Sequence, residues 1–238
     1  MRKSVDLSLI LPCYNETEIF LDSVRKITTV LSQSDYRWEL IFVDDKSSDG
    51  TDKLIKQVYR RNTHFRSIFH TKNLGRGAAV RDGIRAARGT IVGFIDIDLE
   101  VSPIYMLEVL PILLSKNADI VIGKRIYTVA PSSLVRGILS LGYKCIANVV
   151  LHTGGVDTES GYKFFNRKKI VPVLQKTKNN GWFWDTEIVV RSLQRHLKIV
   201  ELPVLFLRRS DKTSTVNIIP DVLDYLHNMW KFRLSLKR

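Results

Sequence analysis

Short apolar runs alternate with amphipathic segments along the first 125 residues of the chain. Five runs are typical of buried strands: 7–11, 38–43, 65–69, 91–95 and 118–122. Helical spacing between them predicts connecting helices at about 16–31, 49–61 and 75–88, with a fourth beginning at Pro103, since proline fits a first helical turn. This order predicts an α/β fold with a mostly parallel, doubly wound central sheet flanked by helices.

The second half of the chain has a less regular pattern. The largely apolar segment 134–151 carries Arg136 and Lys144 on one helical face, and 218–236 has apolar residues at helical spacing with a basic end. Each segment either packs back onto the domain, the commoner fate of such a tail, or lies flat on a membrane. No Pro/Gly-rich linker interrupts the chain, so we expect one domain.

Composition and charge indicate which cellular compartment the protein occupies and which kinds of partner it binds. A formal net charge of +13 favours polyanionic partners such as anionic lipid or phosphorylated small molecules. Nucleic acid is not an expected partner, because no recognition module or aromatic–basic stripe is present. The distant Cys13 and Cys145, the absence of a run of about 18 apolar residues and the lack of a signal-peptide pattern predict a cytoplasmic protein with free thiols.

Three carboxylates directly follow the apolar run 91–95: Asp96, Asp98 and Glu100. They would emerge at the carboxyl edge of the sheet, where open α/β sheets bind ligands. Alternation along an extended chain would point all three to one side, where a cation would relieve their repulsion. Oxygen-only ligands suit Mg²⁺ or Mn²⁺. A solvated acidic turn is the alternative interpretation.

Two earlier strands also end in polar residues, in LPCYNE (11–16) and VDDKSSDGT (43–51). Asp45 is a candidate acceptor of a hydrogen bond from an N–H group of a nucleotide base. Glu16 is a candidate for holding ribose hydroxyls, and Tyr14 is a candidate for packing on the base. Asp49 is expected to cap the helix that follows or to shape its turn. The glycine-containing turn at 73–77 is of a kind that presents N–H groups to phosphate, but it is neither a P-loop nor a Rossmann fingerprint, which argues against an ATPase or a dehydrogenase.

In this order, the motifs resemble an inverting family 2 glycosyltransferase of the GT-A fold. Further matches at 123–125, 136–140, 157–163 and 184–187 resemble the branch of dolichyl-phosphate mannose synthases and polyprenyl-phosphate glycosyltransferases. The resemblance covers about residues 5–215. It implies a GT-A domain at 1–217, with a nucleotide-sugar half (1–125) and an acceptor half (126–217), followed by a basic amphipathic tail at 218–238.

The resemblance also implies roles for single residues on the donor side. The nucleotide-sugar pocket would be formed by Pro12, Tyr14, Glu16, Val43, Asp45, Asp96, Ile97 and Asp98. Asp98 and Glu100 would hold Mg²⁺ or Mn²⁺, with Glu100 standing where many relatives have Gln. A basic loop with Arg208, Arg209 and Lys212 would close over the donor diphosphate, and which arginine contacts the donor is left open.

On the acceptor side, the resemblance implies that Arg125, Arg136, Ser140 and Lys163 bind a lipid phosphate. The catalytic group would comprise Asp98, Arg125, Asp185 and Lys212. A phosphate acceptor needs little general-base help, whereas a hydroxyl acceptor would need a base, for which Asp185 or Glu187 is a candidate. The alternative role of these two acids is pairing with nearby Arg or Lys.

The function expected from this resemblance is metal-dependent inverting transfer of mannose or glucose from a nucleotide-sugar to a polyprenyl or dolichyl phosphate. The protein would act peripherally at the cytosolic face of a membrane, and a membrane-bound partner subunit is possible. One alternative is a family 2 enzyme that acts on a glycan or lipid-linked saccharide hydroxyl. Another is a nucleotide-sugar-binding protein without catalysis, against which the intact acidic triplet argues.

Overall fold

The structure, a computed structural model, describes residues 5–60, 62–127, 146–209 and 218–236. Its described strands are β1 (Leu7–Cys13), β2 (Trp38–Asp44), β3 (Phe65–Phe69), β4 (Ile91–Ile95), β5 (Ile120–Tyr127), β6 (Tyr162–Asn166) and β7 (Ile199–Phe206). They form one seven-stranded sheet in the order β3-β2-β1-β4-β6-β5-β7. Strand β6 runs antiparallel to both neighbours, and every other pairing is parallel.

Helices cover both faces of the sheet. They are α1 (Phe20–Ser32), α2 (Thr51–Tyr59), α3 (Arg76–Ala86), a 3₁₀ turn (Pro103–Tyr105), α4 (Met106–Leu114), α5 (the helical residues 146–151), α6 (Arg167–Leu174), α7 (Trp184–Leu193) and α8 (Ile218–Leu236). One apolar cluster joins α1 and α4 to the sheet, and a second joins α3, α6 and α7 to its other face. The predicted α/β class and mostly parallel sheet are confirmed.

The apolar runs locate the first strands well, and 65–69 and 91–95 match the observed strands. Helix α1, however, begins at Phe20 and not at 16. The preceding backbone is bound to the loop after β2, since the N–H groups of Asn15 and Glu16 donate to the hydroxyls of Ser47 (2.9 Å) and Thr51 (2.8 Å). Strands β6 and β7 were not predicted.

The C-terminal helix packs back onto the domain, the commoner of the two predicted fates. Met229 and Phe232 of α8 are buried against Leu151 of α5 and against Phe183 and Val190 of the α7 region. The opposite stripe of α8 exposes Leu223, Trp230 and Leu234. In the described part of the chain, no helix is both long and apolar enough to span a bilayer. Most of the predicted segment 134–151 lies outside the described residues.

Candidate functional site

The acidic triplet lies at the carboxyl edge, but the chain turns as soon as β4 ends. The N–H of Leu99 donates to the carbonyl of Asp96 (3.2 Å), and Leu99 has a φ of 55°. This turn replaces the extended backbone that would have aligned the three side chains. Asp96 binds Arg76, Asp98 lines a separate cavity, and Glu100 accepts from the N–H of Arg209 (3.2 Å). The prediction that the three carboxylates converge is therefore wrong.

Arg76, in the first turn of α3, is the centre of a buried ion cluster. Its Nε and Nη2 donate to Oδ1 of Asp96 (2.9 and 2.6 Å), and its Nη1 donates to Asp185 of α7. The guanidinium also lies over the rings of Phe94 (5.3 Å) and Trp182 (5.2 Å). Burial alone would lower the pKa of Arg76, but the charges of Asp185 and Asp96 outweigh it and raise that pKa above its usual value. Arg76 is therefore permanently charged at the carboxyl edge of the sheet, between Asp96 and Asp185.

Asp185 and Lys163 belong to the same cluster. Lys163 of β6 has a fully buried side chain, and its Nζ donates to Oδ1 of Asp185 (3.0 Å) and to the carbonyl of Ser160. Burial lowers the pKa of Lys163, and Asp185 offsets part of that effect. The burial argues against direct contact of Lys163 with an acceptor. Asp185 is also buried and accepts from two cations, which fits the alternative role of ion pairing better than that of a general base.

Asp45 is tied to the glycine-containing turn before α3. Its carboxylate accepts from the N–H groups of Leu74 (2.7 Å) and Gly75 (2.8 Å) and contacts Nδ1 of His70 (2.7 Å). The N–H of Ala78 donates to the carbonyl of Asn180 (3.1 Å). The N–H groups of Leu74 and Gly75 in this turn, and that of Ala78 just after it, thus already have protein acceptors and are not presented to a phosphate.

Asp98 and several basic residues line the same open pocket of about 400 Å³. The lining includes Arg208 and Arg209, which follow β7, and Lys26 of α1. The segment after β7 is held beside the acidic turn by two backbone contacts: the N–H of Leu207 donates to the carbonyl of Glu100 (2.7 Å), and Val101 bridges to Phe206. The structure thus brings Asp98, Arg208 and Arg209, three of the residues predicted for the donor side, to one pocket.

Arg125, which was predicted to bind the acceptor, is paired with acids of the loop after α5. Its Nε and Nη2 donate to the two carboxylate oxygens of Asp157 (2.9 and 2.8 Å), and Glu159 lies 3.5 Å from Nη2. Burial would lower the pKa of Arg125, but the hydrogen bond and charge of Asp157 raise it overall. Asp157 is the more deeply buried partner, and the Glu159 side chain is partly exposed at a longer distance.

The remaining predicted residues differ in accessibility. Tyr14 is 42% exposed at the end of β1, and Pro12 and Glu16 are partly buried beside it. Val43 and Ile97 are core side chains, so only their backbone atoms are available to a ligand. Arg136, Ser140 and Lys212 lie outside the described residues, as does Cys145, while Cys13 is a buried free thiol.

The acidic turn has the right donor type for a hard divalent cation but does not enclose one. Within 5–60, 62–127, 146–209 and 218–236, no three His, Cys, Asp or Glu side chains cluster as a metal site. Asp98 and Glu100 supply carboxylate oxygens, and Mg²⁺ in particular is commonly held by one or two carboxylates with substrate phosphates and water. The donor chemistry of these two residues therefore suits a cation whose remaining ligands come from a phosphorylated ligand and water.

With this geometry in view, the chain matches the Glycosyl transferase family 2 model over residues 8–180. It belongs to glycosyl transferase family 2. The motif-based resemblance is thereby confirmed at the level of the family.

Curated relatives of this family 2 chain include two dolichyl-phosphate beta-glucosyltransferases. The enzyme of Saccharomyces cerevisiae is 30% identical over 85% of this chain and 67% of its own length. The enzyme of Dictyostelium discoideum is 28% identical over 97% of this chain and 78% of its own length. Glycosyltransferase AglD of Haloferax volcanii is 28% identical over 92% of this chain. This chain spans only 35% of AglD's length. The names agree with the polyprenyl-phosphate branch that the motifs resemble.

Solved structures share the fold at lower identity. Glucosyl-3-phosphoglycerate synthase of Mycobacterium tuberculosis with UDP matches 97% of this chain and 79% of its own, at a TM-score of 0.71 and 19% identity. The same enzyme was also solved with Mn²⁺, UDP-glucose and phosphoglyceric acid, at a TM-score of 0.69 and 18% identity. TarS of S. aureus with UDP-GlcNAc matches 94% of this chain and 65% of its own, at a TM-score of 0.62 and 15% identity. These likenesses confirm the GT-A fold.

Arg76 was not among the site residues predicted from the sequence. Arg76 lies between two glycines, in one of the segments that the motifs include. A cation between glycines at a helix start was the available signal for Arg76.

Proposed function

We propose that this family 2 chain transfers a hexose from a nucleotide-sugar to a dolichyl-type polyprenyl phosphate with inversion at the anomeric carbon. Glucose is the favoured hexose over mannose, because curated relatives that match 85% and 97% of this chain are named glucosyltransferases. The observation that supports the donor half is the open pocket that Asp98 lines together with Arg208 and Arg209. Cations beside a carboxylate suit a diphosphate and the metal ion that accompanies it.

The donor side fits a diphosphate leaving group. An oxygen of the acceptor phosphate forms the new bond to the anomeric carbon as the bond from that carbon to the donor diphosphate breaks. Negative charge then grows on the diphosphate, where Arg208, Arg209 and Lys212 would stabilise it. A divalent cation held by Asp98 and Glu100 would supply further neutralisation of that charge.

The acceptor side fits a phosphate that is already ionised. Arg125 is a cation with a raised pKa, so it keeps its charge throughout the physiological range. A bidentate partner, Asp157, holds the guanidinium in place, and Glu159 at 3.5 Å is the partner that an incoming phosphate would displace. An ionised phosphate needs orientation more than deprotonation, which agrees with the pairing of Asp185 to Arg76 and Lys163.

We further propose that the exposed stripe of α8 contacts the bilayer at the cytosolic face. Leu223, Trp230 and Leu234 share one side of the helix, and Lys231 is exposed beside them. Apolar residues that flank a cation suit the interface of an anionic membrane. Replacing all three by Ser should weaken co-sedimentation with vesicles that contain phosphatidylserine. Retained binding would exclude this stripe as the contact.

The deciding experiment measures transfer of labelled sugar into the organic-extractable phase. Polyprenyl phosphate is supplied with UDP-glucose or GDP-mannose and Mg²⁺ or Mn²⁺, with an EDTA control. We expect metal-dependent label from UDP-glucose in a lipid that releases it in mild acid. Preferential use of GDP-mannose would overturn the choice of glucose. Donor hydrolysis without lipid labelling would reject the lipid-phosphate acceptor and favour a saccharide hydroxyl.

Arg125→Ala tests the acceptor half separately. This variant should raise the KM for polyprenyl phosphate far more than the KM for the donor. Because it also leaves buried Asp157 without its partner, Arg125→Ala combined with Asp157→Asn is the matched control for folding. A change confined to the donor KM in both variants would place Arg125 on the donor side.

A further inference from the structure

A chain of three hydroxyl groups joins the C-terminal helix to the interior of the domain. Oγ1 of Thr186, in the first turn of α7, donates to Oγ1 of Thr158 (2.9 Å). The hydroxyl of Tyr225 on α8 is hydrogen-bonded to the same Thr186 oxygen. Because the hydroxyl of Thr186 has one hydrogen and gives it to Thr158, Tyr225 is the donor of the second bond. The chain therefore runs from Tyr225 through Thr186 to Thr158.

Apolar packing by itself would dock α8 without these hydroxyls. Residues of α8 are buried against α5 and α7, and the ring of Tyr225 packs on that of Phe183 (centroids 5.1 Å apart). Thr158 and Thr186 are both buried, and a buried hydroxyl costs free energy unless it is hydrogen-bonded. A hydrogen bond also has a preferred direction, which apolar contact lacks. The hydroxyl of Tyr225 thus fixes where α8 sits relative to α7 and to Thr158.

Thr158 stands between the two acids that pair with Arg125. Asp157 accepts two bonds from the guanidinium (2.9 and 2.8 Å), and Glu159 lies 3.5 Å from it. The N–H of Asp157 donates to Glu201 of β7 (2.8 Å), which anchors the first residue of the 157–159 loop to the sheet. The hydroxyl chain anchors the next residue to α7 and α8. The orientation of the guanidinium therefore depends on both anchors.

We propose that Tyr225 is a positioning residue for the acceptor phosphate, because its hydroxyl holds the 157–159 loop in the conformation that orients Arg125. Tyr225 acts through Thr186 and Thr158 and does not itself touch the substrate. This inference rests on the proposed lipid-phosphate acceptor and on the acceptor role of Arg125. The exposed stripe proposed to contact the bilayer is on the same helix, so docking of α8 and orientation of Arg125 are linked.

The first test needs no substrate. Tyr225→Phe removes the hydroxyl and keeps the ring on Phe183, and hydrogen–deuterium exchange of the amides at 157–159 is followed by mass spectrometry. We expect faster exchange than in the wild-type protein, because the loop opens more easily when one anchor is lost. Tyr59→Phe is the matched control, because it removes an exposed phenol hydroxyl from α2. Equal exchange in wild type and Tyr225→Phe would overturn the proposal.

The second test measures use of the acceptor. Tyr225→Phe should raise the KM for polyprenyl phosphate about three- to tenfold, with no change in the donor KM. Thr158→Val removes the other end of the chain with little change in side-chain volume and should have the same effect. Thr158→Ser keeps a hydroxyl and should restore a nearly wild-type KM. A rise in the donor KM alone, or equal impairment in Thr158→Ser and Thr158→Val, would overturn the proposal.

A double variant shows whether the two ends act through one chain. Tyr225→Phe combined with Thr158→Val should raise the acceptor KM no more than either substitution alone, and multiplication of the two effects would overturn the chain. If the wild-type protein uses no prenyl phosphate, the proposed function fails and the acceptor role of Tyr225 fails with it. Faster loop exchange in Tyr225→Phe would then trace that failure to the choice of acceptor and not to the hydrogen-bond chain.

Discussion

Arg76 and Asp185 join the first turn of α3 to the first turn of α7 by an ion pair between positions 109 apart in the chain. Both side chains are largely buried, and the same guanidinium holds Asp96 at the end of β4. One arginine therefore fixes the relative positions of three elements at the carboxyl edge. The planar guanidinium can do so because its donors point in different directions.

Arg76→Lys should preserve the charge and lose this geometry. A single ammonium cannot reproduce the bonds to Asp96 and Asp185 together, so one carboxylate is left poorly paired. We expect the free energy of unfolding to fall by about 2–3 kcal/mol. Urea denaturation would measure it, with Arg85→Lys as the control, since Arg85 is exposed on the same helix. Equal stability of the two variants would contradict the central role of Arg76.

Gly77→Ala should disturb the loop that carries Trp182. The new methyl group would lie 2.4 Å from Cβ of Trp184 and 2.8 Å from the carbonyl oxygen of Gly181. Relief of this overlap requires backbone movement, which we expect to cost about 1–3 kcal/mol of unfolding free energy. Gly181→Ala is the matched control, because its nearest neighbour within reach, Oδ1 of Asn179, would be 3.6 Å away. Similar melting temperatures for both variants would argue against tight packing here.

The sequence predicted the β1–β4 half of the sheet because those strands are short apolar runs separated by helix signals. It did not predict β6, because Lys163 interrupts the apolar run of that strand. The ammonium of Lys163 can be buried only because Asp185 pairs with it, and Asp185 lies on another element, α7. The three carboxylates after β4 were identified from sequence, but their directions were not. Those directions depend on the positive φ of Leu99 and on Arg76, which are features of the folded chain.

Asp49 should make stability depend on pH in the acid range. Partial burial would raise its pKa, but hydrogen bonds from Thr17 and Thr51 lower it to about 2. The unfolded state therefore binds more protons below about pH 4, so this stabilisation is present above that pH and is lost as the pH falls towards 2. Asp49→Asn should cost about 1 kcal/mol near neutral pH, after allowance for solvent screening, and should lose less stability on acidification.

Denaturant midpoints at pH 7, 4 and 2.5 would measure the effect of Asp49. The exposed Asp35→Asn serves as the control for removal of one carboxylate. An unchanged pH profile in Asp49→Asn would show that the bonds from Thr17 and Thr51 add little to stability in solution.

Asp96 and Asp98 are two positions apart, yet the structure predicts different consequences for their loss. Asp96→Asn removes a charged acceptor from Arg76, so it should lower the melting temperature as well as activity. Asp98 lines the cavity with Arg208 and Arg209, so Asp98→Asn should leave the melting temperature nearly unchanged. Its rate of lipid labelling should fall at least about 100-fold, and raised Mn²⁺ should recover only part of that loss.

Thermal melts and transfer assays on both variants would separate structural from chemical roles within the acidic turn. A wild-type rate in Asp98→Asn would remove Asp98 from the donor site. The reverse pattern, with instability in Asp98→Asn and a stable but inactive Asp96→Asn, would mean that the acid bound to Arg76 is the one that acts on the donor. The cavity beside Arg208 and Arg209 would then no longer support the assignment of the diphosphate.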